Sequence, residues 1–141
     1  MTCPACSGHA HVSGIACLRC YGGGDLDAVP ADGQVIAARL GMRAEALRAL
    51  GQPAESALCR RAQVRLLADL GMPMSRRETP ARLGFALLLL DGSADDVHAF
   101  LGAVEPCLDQ RARSGLLAML LRAAALGRSG RRATVEEVIR A

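Results

Sequence analysis

Four cysteines stand in the first twenty residues as two pairs, Cys3-Pro4-Ala5-Cys6 and Cys17-Leu18-Arg19-Cys20, with ten residues between the pairs. Thiolates are soft ligands, and two CxxC turns brought face to face offer the tetrahedral set of sulfurs that Zn²⁺ prefers. A site closed by four protein ligands keeps no position for substrate. The chemistry expected of Cys3, Cys6, Cys17 and Cys20 is therefore structural: one zinc ion that stabilises a short segment. Iron in the same cage and a redox dithiol pair are the competing chemistries for this spacing. His9 and His11, between the pairs, offer nitrogen in place of one sulfur, but the four thiolates already complete the set.

The turns that hold such sulfurs have their own requirements. Backbone N–H groups beyond the first cysteine fold toward its sulfur, and a glycine two residues after the second cysteine supplies the positive φ this needs. Gly8 and Gly22 occupy those positions, so the second half reads CxxCxGxG in full and the first departs from it only at Ala10. Over about residues 3–24 the pattern resembles the cysteine-rich domain of DnaJ-type chaperones and the anti-TRAP type of small zinc protein. The resemblance implies a β-hairpin-like knuckle pair around a single ion, equivalent to half of the DnaJ-type domain. Residues 1–30 are expected to form this zinc module.

Residues 31–141 read as an α-helical domain, and the fold class expected is all-α with a bundle of about six to seven helices. Half of the chain is hydrophobic, yet its aromatics are only Tyr21, Phe85 and Phe100, so the core must come mainly from Leu, Ala, Val and Met. Helix starts and stops recur at short intervals. Asp32 caps a first helix that Gly41 ends, and a second runs from Arg43 to Leu50 before Gly51. Pro53 opens a third, to Leu70, with Leu58, Ala62, Leu66 and Leu70 along one face and Arg60, Arg61 and Arg65 off it. Thr79-Pro80 reads as a cap and first turn for a helix through Leu90. Ser93 with Asp96 and Thr134 with Glu137 form capping boxes. Pro106 opens a helix to Leu126 that is apolar on nearly every side from Leu116 to Ala125 except for Arg122, which suits the centre of the core or a dimer.

One pair of these helices invites a functional reading. A helix-turn-helix needs a small residue in its first helix, a glycine at the turn and apolar anchors in the second. Residues 33–50 satisfy this with Ala37, Gly41 and the set Ile36, Leu40, Met42, Leu47 and Leu50. Arg43 and Arg48 would then reach base edges or phosphates, and Arg39 a phosphate. Residues 31–77 hold eight arginines against Asp32, Glu45, Glu55 and Asp69, a local positive excess that suits an acidic partner. A structural hairpin is the plainer account of the same pattern. A finger beside such an element also resembles the lambda Q type of phage antiterminator over about residues 3–50.

Two functional classes fit. The first is a zinc-binding regulator of gene expression, of phage or mobile-element type, that contacts nucleic acid or an RNA polymerase-associated protein through residues 1–65. The alternative is a protein–protein adaptor or chaperone-like binding module whose knuckle or Leu-rich body grips another chain, a homodimer included. No enzyme is expected, because His98 is the only histidine outside the knuckle and Asp95-Asp96 beside it suits a helix N-terminus. Cys3 follows Met1-Thr2 directly, and Phe85–Leu90 and Gly115–Leu121 are too short to span a bilayer, so a cytoplasmic protein without membrane contact is expected. Cys59 and Cys107 read as small buried hydrophobes.

Overall fold

The structure, a computed structural model, describes residues 1–12, 15–17, 19–20, 24–28, 32–130 and 132–140. It is all-α apart from a small N-terminal hairpin. In that hairpin β1 (His11–Val12) and β2 (Ile15–Ala16) pair antiparallel, with His11 opposite Ala16 and Val12 opposite Ile15. A 3₁₀ turn at Leu26–Ala28 follows, and then six helices among the described residues.

The helices start and stop largely where local chemistry requires. In α1 (Gly33–Ala49) the Asp32 carboxylate accepts from the Gln34 N–H at 2.9 Å. α1 and α2 (Pro53–Asp69) end in the same way. Gly51 and Gly71 take φ of +74° and +68°, and their N–H groups bond to Arg48 and Ala68 while the next residues bond to Leu47 and Leu67. That six-to-one and five-to-two pattern closes a helix on its own free carbonyls. α4 (Ala94–Val104) and the short α6 (Val135–Ile139) each begin with the reciprocal capping box expected of Ser93/Asp96 and Thr134/Glu137.

Three boundaries differ from expectation. α1 runs unbroken through Gly41, so the helix-turn-helix expected at 33–50 is absent. A Cβ on Gly41 would stand 2.8 Å from Gln63 Nε2, so this glycine is a point of close approach to α2 and not a turn. α3 (Met74–Asp91) begins directly after Pro73, which places Pro80 inside it and leaves Thr79 donating back to the Ser75 carbonyl instead of capping. Pro80 forgoes one helical bond, but the turn before it is anchored from outside: the Arg77 guanidinium donates to the carbonyls of Met72 and Cys107 at 2.9 and 3.2 Å. Pro106 lies in a 3₁₀ turn, Glu105–Cys107, and α5 (Gln110–Arg128) starts later, where Asp109 caps the Ala112 N–H at 2.8 Å.

The core forms around α3, which packs on α2, α4, α5 and α6. Phe85 and Phe100 stack at its centre, 6.3 Å between ring centroids, with Val64, Val104, Leu116, Met119 and Val138 around them. α1 lies along α2 over a smaller cluster of Ala44, Leu47 and Cys59, and Ser56 donates to the Ala44 carbonyl at 2.6 Å. The buried side of α2 is set by Ala57, Arg60, Val64 and Leu67, so the expected stripe is displaced: Leu58 and Leu70 are exposed and Arg60 is inside. Arg60 is tolerated there because its guanidinium donates to Glu45 at 2.7 Å and Gln63 at 3.1 Å. α5, expected at the centre of the core or of a dimer, is not at the centre of the core: it is amphipathic and buries Ala112, Leu116 and Met119. Among the described residues no helix is long and apolar enough to cross a membrane.

Candidate metal centre

The first 28 residues have an interior made of sulfur. Cys3, Cys6, Cys17 and Cys20 are all buried, and among the described residues Leu26 is the apolar side chain packed against them. The chain closes around them by backbone pairing. Thr2 bridges Asp25, the Cys3 N–H donates to the Gly24 carbonyl at 3.1 Å, and the Leu26 N–H donates to the Met1 carbonyl at 2.9 Å. The terminal amine pairs with the carboxylates of Asp25 and Asp27 on the same edge. The hairpin is tied in by the Cys17 N–H, which donates to the Ala10 carbonyl at 2.8 Å.

All four sulfurs lie within 4.8 Å of one another, with Cys3–Cys17 at 3.8 Å and Cys6–Cys20 at 3.7 Å. A tetrahedron with metal–sulfur bonds of about 2.3 Å has sulfur–sulfur edges of about 3.8 Å, so these two contacts already have the spacing that a zinc ion imposes. Every cysteine is a free thiol, and the short contacts join one CxxC turn to the other. The set fits a divalent, thiophilic cation. Zinc meets that description with no redox partner required.

Local hydrogen bonding prepares the sulfurs unequally. The Cys17 thiol is held below its ordinary value, first by the Cys20 N–H and then by the Arg19 N–H, which outweigh burial. This is the inward-turned amide geometry expected of a CxxC turn. Cys6 is pushed up to about 11, mainly by burial and next by its contact with Cys20, although the N–H groups of Ala10 and Gly8 pull the other way. A cation entering the cluster must displace that proton, and its charge offsets the repulsion of four thiolates. Gly8 has the expected positive φ of +80°, and a Cβ there would meet the Thr2 methyl at 2.9 Å. Gly22 and the side chain of His11 lie outside the described residues, while His9 is exposed.

Of the residues singled out for nucleic acid, Arg39 and Arg43 share one side of α1 and Arg48 faces the other. On one continuous helix Arg39 and Arg43 are about 40° apart, whereas Arg48 lies about 180° from Arg39. Arg39 is exposed. Arg43 sits near the buried Cys59, whose thiol is raised by burial against the opposing pull of Arg43 and Arg60. Arg48 donates to Glu136 of α6 at 3.1 Å and lies 3.9 Å from Glu45. The separation is a direct consequence of the missing turn at Gly41, which would have redirected the second half of the segment.

Other arginines of the basic stretch are also committed: Arg60 to Glu45 and Gln63, and Arg77 to two carbonyls. Their burial was hidden in the sequence, because a guanidinium is placed inside only when carbonyls and carboxylates from distant segments converge on it. Asp96 serves the capping box of α4. Cys59 and Cys107 are buried among apolar side chains, as expected. No family model, curated protein or solved structure matches the chain.

Proposed function

We propose that this protein is a zinc-stabilised binding module that recognises another protein, with the knuckle of residues 1–28 held by one structural Zn²⁺. The observation that carries this reading is the cluster of four buried sulfurs with cross-knuckle contacts at tetrahedral-edge spacing. The likeness of residues 3–24 to the DnaJ-type cysteine-rich domain supports a role in gripping polypeptide. A closed four-sulfur site supports a non-catalytic role for the ion.

A regulator of gene expression that binds nucleic acid is the rival reading. It draws on the zinc knuckle and the exposed Arg39 and Arg19, but the dispersal of Arg39, Arg43 and Arg48 over two sides of α1 weighs against it. Tyr21 is the knuckle's single aromatic, which leaves little surface for stacking bases.

Native mass spectrometry is expected to give one zinc per chain, lost on Cys17→Ala. Zinc-loaded protein incubated with cell extract is expected to retain a polypeptide, and chelated protein to release it. A salt-sensitive shift of mixed-sequence DNA or RNA, abolished by Arg39→Ala with Arg43→Ala, would replace this reading with the rival.

A further inference from the structure

One face of α5 is apolar and uncovered. Leu117, Leu120 and Leu121 are 57%, 40% and 63% exposed, whereas the other exposed large hydrophobics of the helices, Val35, Met42, Leu50, Leu58 and Leu70, are spread over α1, α2 and the turns that end them. Gln110, Ser114, Leu117, Leu121, Ala124 and Arg128 follow one another at alternating steps of four and three, the spacing of a coiled-coil seam. Beside the seam a groove of about 270 Å³ runs between α4 and α5, with Leu101 and Glu105 on one wall and Leu117 and Leu120 on the other.

We infer that this face is the interface of a homodimer in which α5 pairs antiparallel with α5 of a second copy. The seam is self-complementary in that orientation. With a twofold axis at the level of Met119, Leu117 meets Leu121 of the second copy, Ser114 meets Ala124, and Gln110 meets Arg128, so large side chains face large and small face small. Charge selects the same direction. α5 contains four arginines and no acidic residue; the carboxylates of Glu105 and Asp109 precede its start and Arg128 stands at its end. Antiparallel pairing places each Arg128 beside Gln110 of the other copy, within reach of Glu105 ahead of α5 although Arg111 and Arg113 share that end, and it opposes the two helix dipoles, whereas parallel pairing aligns the dipoles and sets Arg128 on Arg128. A 19-residue helix about 28 Å long presents a small surface, so the association is expected in the micromolar range. The inference is independent of the partner proposed above and of the metal.

Sedimentation equilibrium of the full chain from about 1 to about 200 µM tests it. The native protein is expected to shift from monomer to dimer across that range. Leu121→Glu, at an exposed position, is expected to weaken association at least about tenfold with unchanged helical circular dichroism. Arg128→Glu is expected to weaken it, and Glu105→Arg in the same chain to restore it, a rescue that a parallel pair or a foreign partner would not produce. Cys17→Ala is expected to leave dimerisation unchanged while abolishing zinc binding. A native protein monomeric throughout, a dimer insensitive to Leu121→Glu, failure of the charge swap, or loss of the dimer with the metal would each overturn the assignment.

Discussion

Removing the metal should unfold the knuckle and leave the helical bundle standing. Among the described residues of 1–28 the aliphatic side chain packed on the cysteines is Leu26, whose burial contributes about 2 kcal/mol at most. Coordination of an ion by four thiolates in so small a segment would contribute on the order of 10 kcal/mol, which would make a bound ion the dominant stabilising term. The bundle's own core runs from Ala57 to Val138 and includes none of the four ligands. All six helices begin after residue 32. Chelation, or Cys17→Ala, is therefore expected to reduce the helical ellipticity by less than about a tenth while freeing the backbone after the already exposed Arg19 to enter the trypsin cleft. The experiment combines far-ultraviolet circular dichroism with limited proteolysis, before and after addition of a strong chelator, and restores the metal at the end. Loss of most of the helical signal would show that the bundle depends on the knuckle, and an Arg19 site equally protected with and without metal would show that the knuckle does not depend on the ion.

Glu45→Ala should destabilise the bundle by about 1–2 kcal/mol in urea unfolding. It leaves the largely buried Arg60 guanidinium with Gln63 alone, while the 56% exposure of the Glu45 side chain keeps the loss below that of a fully buried pair. Gly84→Ala should cost about 1–3 kcal/mol in the same assay, because its Cβ would stand 2.6 Å from the Phe100 ring and 2.9 Å from Arg60 Cβ. Glu136 is held below its ordinary value of 4.5, first by its own backbone N–H and then by Arg48. A depressed carboxyl stabilises the fold above its unfolded value and loses that contribution as pH falls through the folded one. Stability measured downward from about pH 5 should therefore decline less in Glu136→Gln than in the native chain.

Features that depend on neighbours a few residues away were legible. The caps at Asp32, Ser93 and Thr134 and the stops at Gly51 and Gly71 are of this kind. So is the turn around Cys17, whose amides approach its sulfur. Gly41 and Gly51 both follow leucine, yet one is inside a helix and the other ends one. The difference is Gln52-Pro53, where the chain cannot continue as helix, against Met42-Arg43-Ala44, where it can. Reading Gly41 as a turn created the helix-turn-helix, and with it the grouping of Arg39, Arg43 and Arg48. Thr79-Pro80 failed as a start for a related reason: Arg77 secures the preceding turn through the carbonyls of Met72 and, from far along the chain, Cys107.

Residue order alone determined the sulfur cage and the all-α body, because ligand spacing and helix propensity act within a few residues. Which side of each helix is buried was decided only by tertiary packing. In segments this rich in Ala and Leu several stripes are apolar enough to bury, and the neighbour that arrives selects one. On α2 it selected Ala57, Val64 and Leu67 and drew Arg60 inside with Glu45, and on α5 it selected Leu116 and Met119 and left Leu117, Leu120 and Leu121 facing outward.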